Sequence, residues 1–219
     1  MCGRYVQSRD GRQLSRQLAA ELGDEVITPS WNAAPTQRLP VITVDDHGRH
    51  LQTMHWGFLP DWAQGKPIIN AQAESVARKP TFREAVLARR CLVPLDGFYE
   101  WRRAARARQP MYFGGKAPLA AAGIWEAFAA EGEEAPCFTI LTTRPNELVA
   151  PVHDRMPVLL PAEHWDEWLE SGDRGLAELA RPFPAEQLWG VPVSDRVNRV
   201  RNNDPSCCEP LLGDQQSLF

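Results

Sequence analysis

Residues 91–101 read Cys91-Leu92-Val93-Pro94-Leu95-Asp96-Gly97-Phe98-Tyr99-Glu100-Trp101, a stretch rich in aliphatic and aromatic residues. This composition is typical of a β-strand. The strand would carry one glutamate between two aromatic residues, and burial there would raise the pKa of Glu100. Just upstream, Thr81-Phe82-Arg83-Glu84 fits a capping box and predicts a helix to about Arg90.

Farther out, the chain alternates between strand and helix patterns. Residues 39–44 and 51–58 flank the turn-rich Asp45-Asp46-His47-Gly48 and predict a β-hairpin. Apolar spacing predicts helices over residues 13–22 and from Pro161 to Gly172. Further strands are expected at residues 111–113, 119–125, 138–143, 157–160 and 188–193. Together they predict an α+β single domain with a curved, partly closed, β-barrel-like sheet and flanking short helices.

The amino terminus, Met1-Cys2-Gly3-Arg4-Tyr5, holds a reactive group that appears only if Met1 is removed. Cys2 would then carry a free α-amine and a thiol on neighbouring carbons, a 1,2-aminothiol. Reference pKa values of about 7.7–8.0 and about 8.5 leave both groups a nucleophilic fraction near neutral pH. An aldehyde could condense with the amine to an imine, and the thiolate could then close a thiazolidine ring. Alternatively, Cys2 is only a small residue after the initiating methionine.

The charge balance limits how the chain could bind nucleic acid. With 24 lysines and arginines against 28 aspartates and glutamates, the formal net charge is −4. Wholesale electrostatic binding is therefore excluded, and individual arginines would have to contact phosphates.

Cysteine and histidine spacing predicts neither a disulfide framework nor a metal site. The five cysteines include no C-x-x-C pair, and the histidines lack a carboxylate or cysteine set at metal spacing. We expect no metal and no cofactor. No apolar run is long enough to span a bilayer and no secretory leader is present, which predicts a cytoplasmic protein.

Six separated motifs resemble those of the SRAP (SOS response-associated peptidase) family, whose members cross-link covalently to abasic sites in single-stranded DNA. The motifs are MCGRY at 1–5, WNAAP at 31–35, WGFLPDW at 56–62, INAQAES at 69–75, PLDGFYEW at 94–101 and HDRMP at 153–157. The resemblance implies a β-barrel-like core with a positively charged cleft. We assign residues 1–205 to this domain and residues 206–219 to a C-terminal tail.

The resemblance also implies roles for four residues. Cys2 would be the nucleophile, Asn70 an orienting residue, Glu100 a proton shuttle for opening the sugar ring, and His153 a promoter of imine chemistry and its reversal. Imine formation needs an acid for the departing oxygen and a donor for the open-chain aldehyde. Taken alone, Asn70 could be a turn residue, Glu100 a surface partner of an arginine, and His153 a satisfied buried imidazole.

Single strands are usually held by arginine contacts to phosphates and by aromatic stacking. The motifs that resemble the family's strand-binding surface contain Arg4, Asn32, Trp62, Thr142 and Arg155. Gln72 stands where the family pattern has an arginine, which should weaken affinity or its salt dependence unless Arg78 compensates. The tryptophans expected in the core are Trp31, Trp56 and Trp101.

The last five residues, Gln215-Gln216-Ser217-Leu218-Phe219, end the chain on two large apolar side chains. They resemble the Q-x-[SD]-L-F peptide by which bacterial replication and repair proteins dock on the sliding clamp. The resemblance implies that Gln215 anchors by hydrogen bonds while Leu218 and Phe219 fill an apolar pocket. Alternatively, the tail folds back on the body of the protein.

These observations predict a DNA-repair protein that captures an abasic site in single-stranded DNA as a thiazolidine on Cys2 and shields it from breakage. The imine also permits β-elimination, so weak lyase activity is expected. Two other functions stay open. One is a peptidase in which Cys2 attacks an acyl carbon, at minimum removing Met1, and the other is a non-covalent single-strand binder tethered to the clamp. The protein would act in the cytoplasm, at the nucleoid during repair.

Overall fold

The computed structural model describes residues 2–103, 108–130, 133–170, 172 and 175–211. Strands dominate the described part of the chain. They are β1 (Tyr5–Gln7), β2 (Glu21–Leu22), β3 (Ser30–Ala33), β4 (Arg38–Asp45), β5 (Gly48–Trp56), β6 (Asn70–Gln72), β7 (Arg90–Arg103), β8 (Arg108–Ala130), β9 (Glu133–Thr143), β10 (Met156–Pro157), β11 (Leu159–Leu160) and β12 (Leu188–Pro192). The α-helices are α1 (Gly11–Leu18), α2 (Pro80–Ala88), α3 (Trp165–Glu170) and α4 (Leu176–Leu179).

The strands form one mixed sheet that partly closes on itself. Its order is β11-β8-β9-β5-β4-β7-β1-β3, and β7 also pairs with β8. Strands β8, β9, β5, β4 and β7 therefore form a ring. The β4–β7 contact consists of the pairing of Ile42 with Leu92, so closure there is slight. The predicted α+β fold with a curved, partly closed sheet is confirmed.

The predicted hairpin is confirmed, with longer strands than expected. Strands β4 and β5 pair from Arg38 opposite His55 to Asp45 opposite Gly48. The Asp45 side chain accepts a hydrogen bond from the His47 backbone N–H (2.7 Å), and Gly48 adopts a φ of 119°. Glycine suits this turn because it reaches positive φ without a Cβ clash.

Helix α1 differs from its prediction at both ends. Asp10 and Gln13 form a reciprocal capping box, so the helix begins at Gly11. It ends at Leu18 because Ala19 takes a left-handed backbone conformation (φ 47°). The last two residues of the predicted helix form β2 instead, which pairs with β5.

The capping box predicted at Thr81 is wrong. Helix α2 begins two residues earlier than this cap predicts, at Pro80, and Lys79 is the N-cap without a side-chain hydrogen bond. Proline at the first helical position needs no N–H partner and has a helical φ already set. Thr81 therefore lies inside the first turn.

Strand β7 is the part of the sheet around which the site is built. It pairs with β1 on one side, with β8 along most of its length and with β4 at one position. This long pairing explains why residues 108–130 form one continuous strand rather than the two shorter ones predicted. Residues 104–107, between β7 and β8, lie outside the described residues.

Helix α3 lies within the helix predicted from Pro161 to Gly172 and packs on β7 through one face. Trp165, Trp168 and Leu169 are buried there. The Trp168 indole donates to the Cys91 carbonyl oxygen (2.9 Å), and the Arg90 guanidinium lies 4.4 Å from the centre of the Trp168 ring. Burying side chains of this size contributes about 1.5–3 kcal/mol each.

A second part of the core lies beneath the amino terminus. Trp56 is fully buried there, as predicted, with the Tyr5 ring 5.1 Å and the Phe138 ring 6.2 Å away. These contacts anchor β1, and with it the segment that carries Cys2.

The carboxyl-terminal part of the described chain still contacts the body. Val193 bridges to Pro210, and the Leu211 N–H donates to the Pro192 carbonyl oxygen (2.9 Å). The predicted boundary after residue 205 stays a prediction. None of the described helices has the length and apolar character needed to cross a bilayer.

Gly97 provides a test of how tightly β7 is packed. A Cβ at this position would lie 2.3 Å from the Phe113 carbonyl oxygen and 2.6 Å from the Tyr112 hydroxyl. We expect Gly97→Ala to lower the free energy of unfolding by about 2–3 kcal/mol, because the pairing with β8 must shift. Chemical denaturation measures this.

Gly23→Ala is the matched control, since a Cβ there meets no atom within 4 Å. A Gly97→Ala protein as stable as the Gly23→Ala protein would contradict the close approach of β7 and β8.

Candidate active site

Cys2 is positioned by the pairing of β1 with β7. Tyr5 lies opposite Phe98 and Val6 opposite Gly97, and the Tyr99 N–H donates to the Arg4 carbonyl oxygen (3.0 Å). This register brings the start of the chain next to Glu100, the following residue of β7. Cys2 is 1% exposed, and its Sγ lies 3.8 Å from the Arg4 carbonyl oxygen.

Asn70 approaches Cys2 from a different strand. It is the first residue of β6, which runs parallel to β9 with Asn70 opposite Ile140. Its side-chain amide donates to the Cys2 carbonyl oxygen (2.9 Å). The Asn70 Oδ1 atom is buried and accepts no hydrogen bond from the described residues. The amide thus holds the backbone of Cys2 and leaves an acceptor available beside it.

His153 completes the cluster from the turn before β10. Its Nε2 lies 3.9 Å from Glu100 Oε2, and its Nδ1 accepts a hydrogen bond from the Arg155 backbone N–H (3.0 Å). The Asp154 carboxylate also approaches Nδ1 (3.0 Å). In the tautomer with its proton on Nδ1, Nε2 is the proton acceptor facing Glu100. The four residues predicted for catalysis therefore converge from four separate segments.

Burial sets the protonation of the acid and the base. Glu100 is 2% exposed, and burial raises its pKa from about 4.5 to about 7. Burial also lowers the pKa of His153. Near neutral pH the site therefore holds a carboxyl group that is partly protonated and an imidazole that is mostly neutral, which suits proton transfer in either direction.

The expectation for the Cys2 thiol concerns the chain without Met1 and stays a prediction; in the chain with Met1, burial acts on this thiol. Burial raises its pKa well above the ordinary value, and the nearby Glu100 charge raises it further. Burial removes the solvent that would stabilise the thiolate, and the Glu100 carboxylate repels it. Both effects favour the protonated thiol.

An open cleft of about 640 Å³ begins at Gly3, next to this cluster. Trp101, Arg4 and Arg108 are among its lining residues. Trp101 is partly exposed, which corrects the prediction that it lies in the core, and its indole donates to Asn198 Oδ1 (2.7 Å). Two arginines and an aromatic side chain are the groups expected around a single strand.

The side chains of Arg4 and Asn32 form a hydrogen bond with each other, and Arg4 is half-buried. One Arg4 nitrogen donates to Asn32 Oδ1 (2.8 Å) and to the Val197 carbonyl oxygen (2.8 Å). The Asn32 amide is buried and donates to the carbonyl oxygens of Val197, Arg199 and Asn202. Asn32 therefore holds Arg4 and the 195–203 segment in place, and no part of its amide faces solvent.

The other residues predicted to bind a strand form a second set, which lies mainly around β6, β9 and the turn that carries His153. Gln72 ends β6 and is exposed, opposite the buried Thr142 of β9. Arg155 donates to the Thr142 carbonyl oxygen (2.6 Å), and Arg78 is exposed nearby. Trp62 lies in a 3-10 helix and is 65% exposed. The predicted clamp residues Gln215, Leu218 and Phe219 lie outside the described residues.

Sequence reasoning missed two contributors. Glu74 makes an ion pair with Arg155 (2.7 Å), and Asn203 accepts from the Trp31 and Asn32 backbone N–H groups (2.7 and 3.0 Å). Glu74 stands within the INAQAES motif, and this position could have indicated that it belongs to the site. Nothing in the sequence connects Asn203 with residue 32. Among the described residues no group of three histidine, cysteine, aspartate or glutamate side chains could hold a metal ion.

Comparisons with known proteins find a family, related proteins and a similar structure. The family described as "SOS response associated peptidase (SRAP)" matches residues 1–200. The chain is 36% identical to "Abasic site processing protein YoqW" of Bacillus subtilis over 95% of this chain and 99% of that protein. It is 31% identical to "Abasic site processing protein HMCES" of Gallus gallus, over 96% and 78% of the two chains. A crystal structure of a Bacteroides thetaiotaomicron protein matches with a TM-score of 0.84 at 25% identity, covering 96% of this chain and 100% of that chain.

The raised pKa of Glu100 should make the stability of the protein depend on pH. Between about pH 4.5 and about pH 7 the folded protein binds a proton that the unfolded chain releases, so stability is lost as pH rises through this window. Glu100→Gln cannot titrate. The free energy of unfolding of the Glu100→Gln protein minus that of the parent protein should therefore be larger at pH 8 than at pH 4, by ~3 kcal/mol.

Denaturant titrations of both proteins at the two pH values measure the difference. If the free energies of unfolding of the two proteins differ by the same amount at both pH values, Glu100 titrates as an ordinary carboxyl group.

Proposed function

Since the chain belongs to the SOS response associated peptidase (SRAP) family, we propose that it captures abasic sites of single-stranded DNA as a covalent thiazolidine on Cys2. Relatives named abasic site processing proteins support this substrate. The observation that carries the proposal is the convergence of Cys2, Asn70, Glu100 and His153 within one buried cluster. Hydrolysis of the Met1–Cys2 peptide bond must come first, because it frees the α-amine.

Capture begins with opening of the sugar ring. The abasic deoxyribose is a cyclic hemiacetal, and its ring oxygen must gain a proton as the hydroxyl at C1′ loses one to become an aldehyde. Glu100 suits this exchange because its pKa of about 7 allows it to donate and accept protons near neutral pH. The neutral His153, 3.9 Å away, can take the second proton.

The amine then attacks the aldehyde. Asn70 donates to the Cys2 carbonyl oxygen, and its unused Oδ1 can accept a hydrogen bond from the freed amine and direct the nitrogen lone pair. The resulting carbinolamine loses its hydroxyl group as water after protonation by Glu100. An imine between the Cys2 nitrogen and C1′ remains.

Ring closure uses the thiol last. Sγ bonds to C1′, the electrons of the C=N bond return to nitrogen, and the thiol proton is transferred to that nitrogen. This order agrees with the raised pKa of the thiol, since a protonated sulfur cannot attack first but can be deprotonated as it meets the imine. The product has the mass of protein plus DNA less one water.

A weak lyase activity is expected from the same intermediate. Before the ring closes, the imine acidifies the C2′ proton, and loss of that proton with the 3′ phosphate breaks the strand by β-elimination. His153, whose Nε2 lies 3.9 Å from Glu100 Oε2, would serve as the base. Rapid closure by the thiol would suppress this path and so protect the strand.

The DNA strand would contact the two sets of residues described above, near Cys2, Asn70, Glu100 and His153. In the first set, the cleft with Arg4, Trp101 and Arg108 offers cations and an aromatic face. In the second set are Gln72, Arg78, Thr142 and Arg155, together with the exposed Trp62. Because the net charge of the chain is −4, these local groups must supply the attraction to phosphate.

A thiol peptidase is the second candidate, because hydrolysis of the Met1–Cys2 bond is needed in any case. The raised pKa of the Cys2 thiol disfavours thiolate attack on an internal peptide of another protein. Cleavage of a peptide substrate would support this candidate. Binding of a strand without any adduct that survives denaturation would support a non-covalent binder.

The tail adds a proposed partner. We propose that residues 206–219 form a tail to the 1–205 domain and that Gln215, Leu218 and Phe219 dock on the bacterial sliding clamp. The Q-x-[SD]-L-F pattern at the end of the chain supports this docking. Tethering to the clamp would place the domain at replicated DNA, where single strands with abasic sites occur.

Intact mass measures the covalent chemistry directly. The purified protein should lack Met1, and incubation with an abasic single-stranded oligonucleotide should give a denaturation-resistant product at the summed mass less one water. Cys2→Ala should abolish it. Cys2→Ser keeps the amine but lacks the thiol, so it should give a stable adduct only after borohydride reduction of the imine.

Cys208→Ala is the matched control, because Cys208 is partly exposed but carries no free α-amine. No adduct from protein that lacks Met1 would refute thiazolidine capture, and a retained Met1 would show that the nucleophile was never formed.

Docking on the clamp is tested by a Leu218→Ala, Phe219→Ala double variant. Its affinity for a purified bacterial sliding clamp, measured on a biosensor, should fall roughly tenfold or more, as expected for loss of two anchoring side chains. Gln216→Ala alters the variable position of the pattern and should bind like the parent protein. Equal affinity of the parent protein, the double variant and Gln216→Ala for the clamp would show that the tail does not take part in binding.

A further inference from the structure

The Arg155 guanidinium is occupied by a carboxylate of the same chain. Its NH1 and NH2 nitrogens donate to the two Glu74 oxygens (2.9 and 2.7 Å), and NH2 also donates to the Thr142 carbonyl oxygen (2.6 Å). This is the two-pronged geometry that arginine adopts with either a carboxylate or a phosphate. The Arg155 side chain is 16% exposed and that of Glu74 is 53% exposed, so the carboxylate lies on the solvent side of the guanidinium.

The location of this pair connects it to the active site. The Arg155 backbone N–H donates to His153 Nδ1 (3.0 Å). Thr142 faces Gln72, which lies on the same short strand as Asn70. A phosphate bound by Arg155 would therefore belong to a nucleotide adjacent to the one held by the cluster.

Glu74 is surrounded by positive charge. Arg155, by its hydrogen bonds, and Arg144, by its charge, lower the pKa of Glu74, so the carboxylate stays ionised at neutral pH. Arg78 donates to the Glu74 backbone carbonyl oxygen (3.1 Å). A cleft of about 520 Å³ beside the pair is lined by Glu74, Arg78 and Glu178, among others. The carboxylate thus has space to swing toward Arg78 if it leaves Arg155.

We propose that Glu74 occupies the position of a strand phosphate on Arg155 and that single-stranded DNA binds by replacing it. Glu74 is then an affinity-determining residue, because each binding event must break one bidentate ion pair before it forms another. The inference rests on the proposed function, since it takes single-stranded DNA as the ligand.

The test compares Glu74→Gln with the parent protein in binding a fluorescent, undamaged oligothymidine strand, followed by anisotropy. Glutamine keeps the shape of the side chain but not its charge. Affinity should rise about two- to fivefold at low salt, as expected for release of one partly exposed ion pair. The plot of log affinity against log salt should also become steeper, by up to about 0.7, because in the parent protein the displaced Glu74 carboxylate takes up a cation that offsets part of the counterion release.

Two variants separate this exchange from a general charge effect. Glu178→Gln removes the same charge from the same cleft and should change affinity and salt slope less than Glu74→Gln does. Adding Arg155→Gln to Glu74→Gln should cancel the gain, because the gain acts through Arg155. Thermal unfolding of each variant confirms that the fold is kept, and Glu74→Ala should shift affinity in the same direction as Glu74→Gln.

The proposal is overturned if Glu74→Gln binds no more tightly than Glu178→Gln, or if its gain persists without Arg155. Adduct formation with an abasic strand is measured in parallel. An adduct without a Glu74 effect refutes the exchange alone. Tighter binding by Glu74→Gln without any adduct leaves the exchange standing and refutes the covalent function.

Discussion

The antiparallel pairing of β1 with β7 is the constraint on which the rest of the site depends. Tyr5 opposite Phe98 and the hydrogen bond from Tyr99 N–H to the Arg4 carbonyl oxygen place the first residues of the chain against the middle of the sheet. Chain termini usually lie loosely at the surface. Here the segment that carries Cys2, which would present a reactive amine in the proposed function, is held by a sheet strand and by the Asn70 amide. The site gains precision from the sheet, because β6, β7 and β9 are rigid supports.

Desolvation divides the chemical work among groups that would otherwise titrate at their ordinary values. The same burial raises the pKa of Glu100 to about 7, lowers that of His153 and raises that of the Cys2 thiol. Each shift favours the neutral form. A cluster of neutral groups suits imine chemistry, in which protons move between oxygen, nitrogen and sulfur while no step needs a preformed thiolate.

Arginines around the site are held by partners within the protein. Arg4 is bound to Asn32 and the Val197 carbonyl oxygen, and Arg155 to Glu74 and the Thr142 carbonyl oxygen. In a chain with a net charge of −4, recognition of a strand then depends on a few cations of fixed orientation rather than on a broad positive field. The two sets approach the cluster at different residues, because Arg4 lies two residues after Cys2 and the Arg155 backbone N–H donates to His153.

Much of the fold and of the candidate site could be predicted from sequence because the signals are local. Strand β7, the β4–β5 hairpin and the buried face of α3 follow from composition, turn residues and helical spacing, and six motifs indicated the family and its four central residues. Tertiary structure alone decided that residues 108–130 form one strand and that residues 21–22 leave α1 to pair with β5, because both depend on distant partners. It also decided the protonation of Cys2, the burial of Asn32 and the pairing of Glu74 with Arg155. Desolvation and contacts between residues far apart in the chain determine these features, and neither is a property of a local stretch of sequence.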